Sequence, residues 1–207
     1  MVIVVEHPVL SDSLARLRDR RTGAAEFRRL MRLAAMLLCA EALRDLPLRT
    51  ARIRTPLAPA EGEIIAGPPP VAVPVLRAGL GLLPGLLDLV PGAAVGVIGL
   101  RRNERTFEAG EYYRSLPRPL AGRAVVILDP MLATGGSLAA AIGVVKEHGA
   151  DDIRAVTLLA APEGVRLVMR RHPRVRVFTG AVDERLDENA YIIPGIGDAG
   201  DRLFGTK

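Results

Sequence analysis

Continuous apolar runs rich in β-branched residues recur along the chain at 71–75, 95–98, 125–128, 153–159 and 175–178. Runs of this kind, apolar at most positions and interrupted only by Arg154, Thr157 and Arg176, mark strands buried on both faces, whereas a half-exposed strand would alternate. Between several of them, 80–89, 136–148 and 163–171 are long enough for helices. That order of elements predicts an α/β fold built on a mostly parallel sheet with flanking helices. Ahead of the sheet, 24–44 places Phe27, Leu30, Met31, Ala34, Leu37 and Leu38 at helical spacing, with Arg28, Arg29 and Arg32 off that stripe. The spacing predicts an amphipathic helix packed on the domain or on a second subunit. The stretch 48–66 is less regular, and Gly67-Pro68-Pro69-Pro70 forms a stiff lead-in to the first central strand. Residues 101–122 interrupt the α/β rhythm with charges, two tyrosines and two prolines, which predicts a β-arm or a lid. With no internal repeat and no low-complexity linker, residues 1–207 read as a single domain.

Composition narrows the class. A chain of 207 residues, 49% hydrophobic and 25% charged, has the makeup of a globular protein. Chains of this length bury about 70% of their unfolded surface. The longest uncharged stretches are broken by Arg77 and Asp88, too short for a membrane span. The N-terminal run Val2-Ile3-Val4-Val5 has no basic flank and is too short for a secretory signal, so the expected location is cytoplasmic. Cys39 is the lone cysteine and sits beside Met36, Leu37 and Leu38, the setting of a buried thiol. The net charge of +5 comes almost wholly from arginine, since Lys146 and Lys207 are the only lysines. Its runs, such as Arg16-Leu17-Arg18-Asp19-Arg20-Arg21, are interleaved with acids or fall on helix faces, and aromatics are 3%. They read as solvated faces; a nucleic-acid surface would carry more stacking residues. A small anionic substrate suits the same positive field.

The chemistry concentrates in "LDPMLATGGS", residues 128–137. Gly135 and Gly136 allow backbone geometry closed to other residues, so that successive N–H groups can turn toward an anion. The helix that follows adds the partial positive charge of its N-terminus, and Thr134 and Ser137 add hydroxyl donors. On these features alone the loop serves equally well as a plain strand-to-helix turn capped by Thr or Ser. Asp129 changes the balance. A carboxylate beside a phosphate nest repels the phosphate unless it engages another part of the ligand, such as sugar hydroxyls. A phosphorylated sugar satisfies both halves. In the C-terminal segment, Gly195 to Gly200 matches G-x-G-x-x-G, but neither a preceding strand nor room for the long helix of a dinucleotide site is evident. His7, His148 and His172 show no metal-ligand spacing.

This arrangement resembles the phosphoribosyl pyrophosphate (PRPP) loop of type I phosphoribosyltransferases, although many members carry a second acid where Pro130 stands. Four further segments are similar to uracil phosphoribosyltransferases: "VPVLRAGLGLLPG" (73–85), "RRNERT" (101–106), "LLAAPEG" (158–164) and "YIIPGIGDAGDRLFGTK" (191–207). With "EHP", "FRRL" and "EALRDLP" near the N-terminus, the resemblance runs end to end.

It implies the type I phosphoribosyltransferase fold, with a C-terminal hood over the base site and a protruding β-arm. It implies transfer of the phosphoribosyl group of PRPP to uracil, giving UMP and pyrophosphate in pyrimidine salvage. Arg77, Arg102 and Asp198 are then the catalytic residues. PRPP meets Arg77, Arg102, Asp198 and the loop Asp129, Pro130, Met131, Leu132, Ala133, Thr134, Gly135, Gly136 and Ser137. Gly79 and Gly81 would let the backbone approach the ligand. Uracil is held by Ile192, Gly197, Asp198 and Ala199, chiefly through backbone groups. The cofactor is Mg²⁺, carried by PRPP with no direct protein ligand and bridged to Asp198 through water. At least a homodimer is implied, with GTP a candidate effector as in some relatives. Arg101 and Arg105 depart from the Tyr and Glu common at those positions. Two rivals remain at this point: a type I enzyme for another base, and a regulator of this fold that binds nucleotide or RNA.

Overall fold

The structure, a computed structural model, describes residues 1–102 and 109–206. Arg105 in the arm and Lys207 lie outside them, as do the side chains of Arg102 and Ala109. The chain opens with β1 (Val2–Val4), α1 (Pro8–Arg18) and α2 (Ala24–Ala42), then a hairpin of β2 (Leu48–Arg54) and β3 (Pro59–Ile65). Next come β4 (Val71–Leu76), α3 (Leu83–Leu89), β5 (Ala94–Val95), β6 (Val97–Arg102) and β7 (Ala109–Ser115). The second half holds β8 (Ala124–Leu128), β9 (Met131–Leu132), α4 (Gly136–Glu147), β10 (Asp152–Ala160), α5 (Pro162–Arg171) and β11 (Arg176–Val182). It closes with β12 (Arg185–Leu186), β13 (Ile192–Ile193) and α6 (Ala199–Phe204).

The main sheet runs in the order β1-β11-β10-β8-β4-β6-β7, parallel except for the antiparallel edge strand β7. Successive side chains of a strand point to opposite faces, and the core divides accordingly. Ala72, Val126, Leu128, Val156 and Phe178 face α1, α2, α3 and α6 in one cluster. Val71, Val73, Val125, Ile127, Ala155 and Val177 face α4 and α5 in the other. This two-sided burial is the physical reason the strands read as largely apolar runs without alternation. The stripe of α2 is buried as its spacing predicts: Phe27, Met31, Ala34 and Leu38 are 0% exposed, while Arg28, Arg29 and Arg32 face outward. Cys39 lies in the same cluster, and burial pushes its thiol up to about 12.

Three segments differ from expectation. The stretch 48–66 is a regular antiparallel hairpin, β2–β3, which pairs with no other described strand and leaves Leu48, Ile53, Ile64 and Ile65 exposed. The predicted helix 80–89 splits into a 3₁₀ turn, Ala78–Gly81, and α3, because Pro84 lacks an N–H and is tolerated only in the first turn of a new helix. The predicted strand 95–98 breaks at Gly96, where any side chain would collide with Leu116 and Pro117. The arm expected at 101–122 begins as the β6–β7 ribbon on the sheet edge, and its tip falls outside the described residues.

Candidate active site

The motif loop starts where β8 ends. All five residues of β8 are buried, and Asp129 is delivered to the carboxyl end of the sheet with its N–H bonded to Val156 O at 3.1 Å. Pro130 O then accepts from Leu158 N at 2.9 Å and from the buried Thr157 hydroxyl at 2.9 Å. Leu132 O accepts from Ala161 N at 2.9 Å. These bonds tie the loop carbonyls back toward β10. Gly135 takes φ +85° as the N-cap of α4, and no side-chain hydrogen bond caps that helix. The first N–H groups of α4 are thus directed at whatever occupies the loop.

Two glycines make the close packing behind the loop. A Cβ on Gly135 would lie 2.8 Å from Gly164 O, and one on Gly164 would lie 2.4 Å from Ala133 O. The start of α5 therefore supports the loop by backbone contact, and Gly164 belongs to the "LLAAPEG" string of the sequence.

A cavity of about 150 Å³ lies inside the loop, walled by Asp129, Met131, Leu132, Ala133, Thr134, Gly135, Ser137 and Leu138. A neighbouring cavity of about 190 Å³ shares Asp129, Met131 and Ala133 with it. Its remaining wall comes from Pro130, from Ala78 after β4, and from the C-terminal segment: Ala190, Tyr191, Ile192, Gly197, Asp198, Ala199 and Gly200. Most of the predicted positions therefore converge, with the loop residues and Ile192, Gly197, Asp198 and Ala199 around two adjoining spaces. Gly136 opens α4 at the loop's end. Ala78, Leu138, Ala190, Tyr191 and Gly200 were not anticipated as site residues. Ala190 holds φ +60° beyond a turn in which Asp187 Oδ1 accepts from Asn189 N and Tyr191 N, so "DEN" at 187–189 was the available signal.

Burial pushes the Asp129 carboxyl up to about 7, only partly opposed by the N–H of Met131. Ligand hydroxyls donating to it would replace the lost water. Asp198 serves as N-cap of α6, its Oδ1 accepting from Asp201 N at 2.8 Å, while its exposed carboxylate also lines the larger cavity. One carboxylate thus both caps α6 and lines the cavity.

Arg77 follows β4 through a cis peptide bond, Leu76–Arg77. Its guanidinium is 3.9 Å from an Asp201 carboxylate oxygen and 5.5 Å from the centroid of Phe204, outside the walls of both cavities. Gly79 and Gly81, expected to admit ligand, meet protein instead. A Cβ on Gly79 would be 2.3 Å from Leu128 O, and one on Gly81 would meet Met31 and Leu203. Arg102 closes β6, beyond which nothing is described of its side chain. Among the described residues no group of three or more His, Cys, Asp or Glu is placed to hold a metal ion.

A mostly parallel sheet, with a glycine loop opening α4 and a cavity walled by the C-terminal segment at its carboxyl strand ends, defines the class: a type I phosphoribosyltransferase fold. A hypoxanthine phosphoribosyltransferase from Trypanosoma cruzi, complexed with IMP, shares that fold at TM-score 0.52 and 16% identity, over 82% of this chain and 79% of that one. A solved protein from Aquifex aeolicus is 40% identical, with TM-score 0.96 over 100% of this chain and 99% of its own. Uracil phosphoribosyltransferases from a Thermoanaerobacter strain and from Brucella anthropi are 48% and 50% identical, each over 100% of this chain and at least 98% of theirs. The sequence model described as uracil phosphoribosyltransferase matches residues 4–206, and the chain belongs to that family.

Proposed function

We propose that this protein transfers the phosphoribosyl group of PRPP to uracil, releasing UMP and pyrophosphate. The observation that carries the reading is the pair of adjoining cavities sharing Asp129: one formed by the loop at the start of α4, the other walled largely by backbone. Uracil N1 bonds to the ribose C1 as the bond from C1 to the pyrophosphate oxygen breaks, and the N1 proton leaves to solvent. The protein's part is positioning and electrostatics. The Gly135–Ser137 turn and the α4 N-terminus hold the 5′-phosphate, with Thr134 beside them, and Asp129 accepts the ribose hydroxyls. Arg77 and Arg102 address the pyrophosphate, for which Arg77 exchanges its contact with Asp201 for phosphate oxygens.

The two carboxylates at the cavity, Asp129 and Asp198, fit an oxygen-loving ion that arrives on the diphosphate and keeps most of its waters. Mg²⁺, held there through water by Asp198, would neutralise the leaving group.

Base selection follows from fixed backbone groups around Ile192, Gly197 and Ala199. Uracil offers an acceptor at O4 and a donor at N3; cytosine offers the reverse, leaving buried groups unpaired at about 1–3 kcal/mol each. Uracil turnover at least about 100-fold above cytosine is expected, collapsing in Asp198→Asn. Comparable use of both bases would overturn the hood assignment. The enzyme acts in the cytoplasm as at least a homodimer, with GTP as the nucleotide to test as an effector.

A further inference from the structure

Three residues that line neither cavity hold the loop that does. Arg18, the last residue of α1, sets its two terminal guanidinium nitrogens against the carboxylate of Asp183, Nη2 to Oδ1 at 2.6 Å and Nη1 to Oδ2 at 2.8 Å. The Asp183 side chain is 5% exposed and that of Arg18 is 26%. The same Nη1 donates to Gly195 O at 2.9 Å, while Gly195 N donates to Asp183 Oδ2 at 2.9 Å. One ion pair thus grips both the carbonyl and the N–H of a single glycine. Gly195 adopts φ +60°, and a Cβ there would lie 2.0 Å from Ile192 O, so the turn closes tightly on the cavity residue Ile192.

The next residue is held at its carbonyl. Arg202 donates to Ile196 O at 2.9 Å and to Asp19 O at 2.7 Å, and also bonds Leu17 O. Its guanidinium stacks over Phe27 at 4.4 Å from the ring centroid. Both carbonyls of 195–196 and the Gly195 N–H are therefore bound away from the cavity, while Ile192 on one flank and Gly197, Asp198 and Ala199 on the other face it.

From this we infer that Arg18 and Asp183 are positioning residues for the base, setting the affinity and selectivity of the cavity through Gly195. The inference rests on the function proposed above. Recognition by backbone groups cannot adapt by changing rotamer; it depends on where the main chain is held. A shift of about 1 Å at such a site costs on the order of 100-fold in rate, and a hydrogen bond to a charged group is worth about a factor of 10 or more. PRPP sits in the loop after β8, which is anchored to β10 and α5, and is spared.

The test compares Arg18→Gln, Arg18→Lys and Asp183→Asn with the parent enzyme in steady-state kinetics. Alongside, hydrogen exchange by mass spectrometry follows residues 192–199 and 129–137. The expected result for Arg18→Gln and Asp183→Asn is a rise of about tenfold or more in the uracil KM, with the PRPP KM within about threefold. Cytosine discrimination falls, and exchange quickens in 192–199 but not in 129–137. Arg18→Lys keeps the charge without the fork and falls between. A variant that merely loosened the fold would raise both KM values together and quicken exchange throughout, which would overturn the inference, as would an unchanged uracil KM. Should Arg18→Gln fail to fold, Arg18→Lys and Asp183→Asn decide by the same split. If the parent does not use uracil, the function proposed above fails on that arm alone, and the exchange contrast between the two segments still decides whether the clasp exists.

Discussion

Asp129 carries a cost that the fold accepts for the sake of the site. Its carboxyl, displaced by burial to about 7, stays protonated in the folded chain over a range where the unfolded chain has already lost the proton, near 3.8. Between those values the native state binds more protons, so stability falls as pH rises through the window and levels off above about 7. Asp129→Asn removes that loss. Its melting temperature relative to the parent is expected to climb between pH 4 and pH 7, while activity drops by about 100-fold or more. A pH-independent difference in melting temperature would contradict the raised Asp129 carboxyl. The placing of Asp129 and the loop glycines around one cavity was legible because they sit in a short contiguous string, whereas Asp198 was placed by resemblance alone. Arg18 was not legible: it stands in a basic run that reads as solvated, and its partner Asp183 is 165 residues away, a pairing only the folded chain creates.

Elements were legible in proportion to how much of them is buried. The parallel strands and the stripe of α2 announce themselves because each must present apolar side chains to a core. The β2–β3 hairpin has no core face, so no periodicity marked it, and its strands are exposed nearly throughout. The junction between the loop and α5 depends on a close backbone approach that only glycine permits at position 164. Gly164→Ala puts a methyl where Ala133 O stands and is expected to destabilise the protein by about 1–3 kcal/mol in chemical denaturation. The PRPP KM should rise with the uracil KM little changed, the reverse of the pattern expected for Arg18→Gln. Equal effects on both substrates would mean that the two cavities are not separately supported.

At the scale of the whole molecule, the parallel sheet gathers distant segments at one end: the turn after β4, the loop after β8 and the C-terminal segment all meet there. A two-stranded hairpin alone is marginal in water, yet β2–β3 stands free with apolar residues exposed on both strands. We expect a second copy to cover it. Replacing residues 49–64 by a short turn should convert a dimer or larger species to monomer in light scattering; an unchanged mass would place the interface elsewhere. The net charge of +5 draws polyanionic PRPP toward the protein, and its effect on association weakens as salt screens it. The most direct measurement is conversion of labelled uracil to UMP with PRPP and Mg²⁺, run beside cytosine, orotate and hypoxanthine, with Asp198→Asn as control. Turnover of uracil alone, lost in the variant, is the predicted result. Preferential turnover of another base, or none with any of the four in the presence or absence of GTP, would contradict the account.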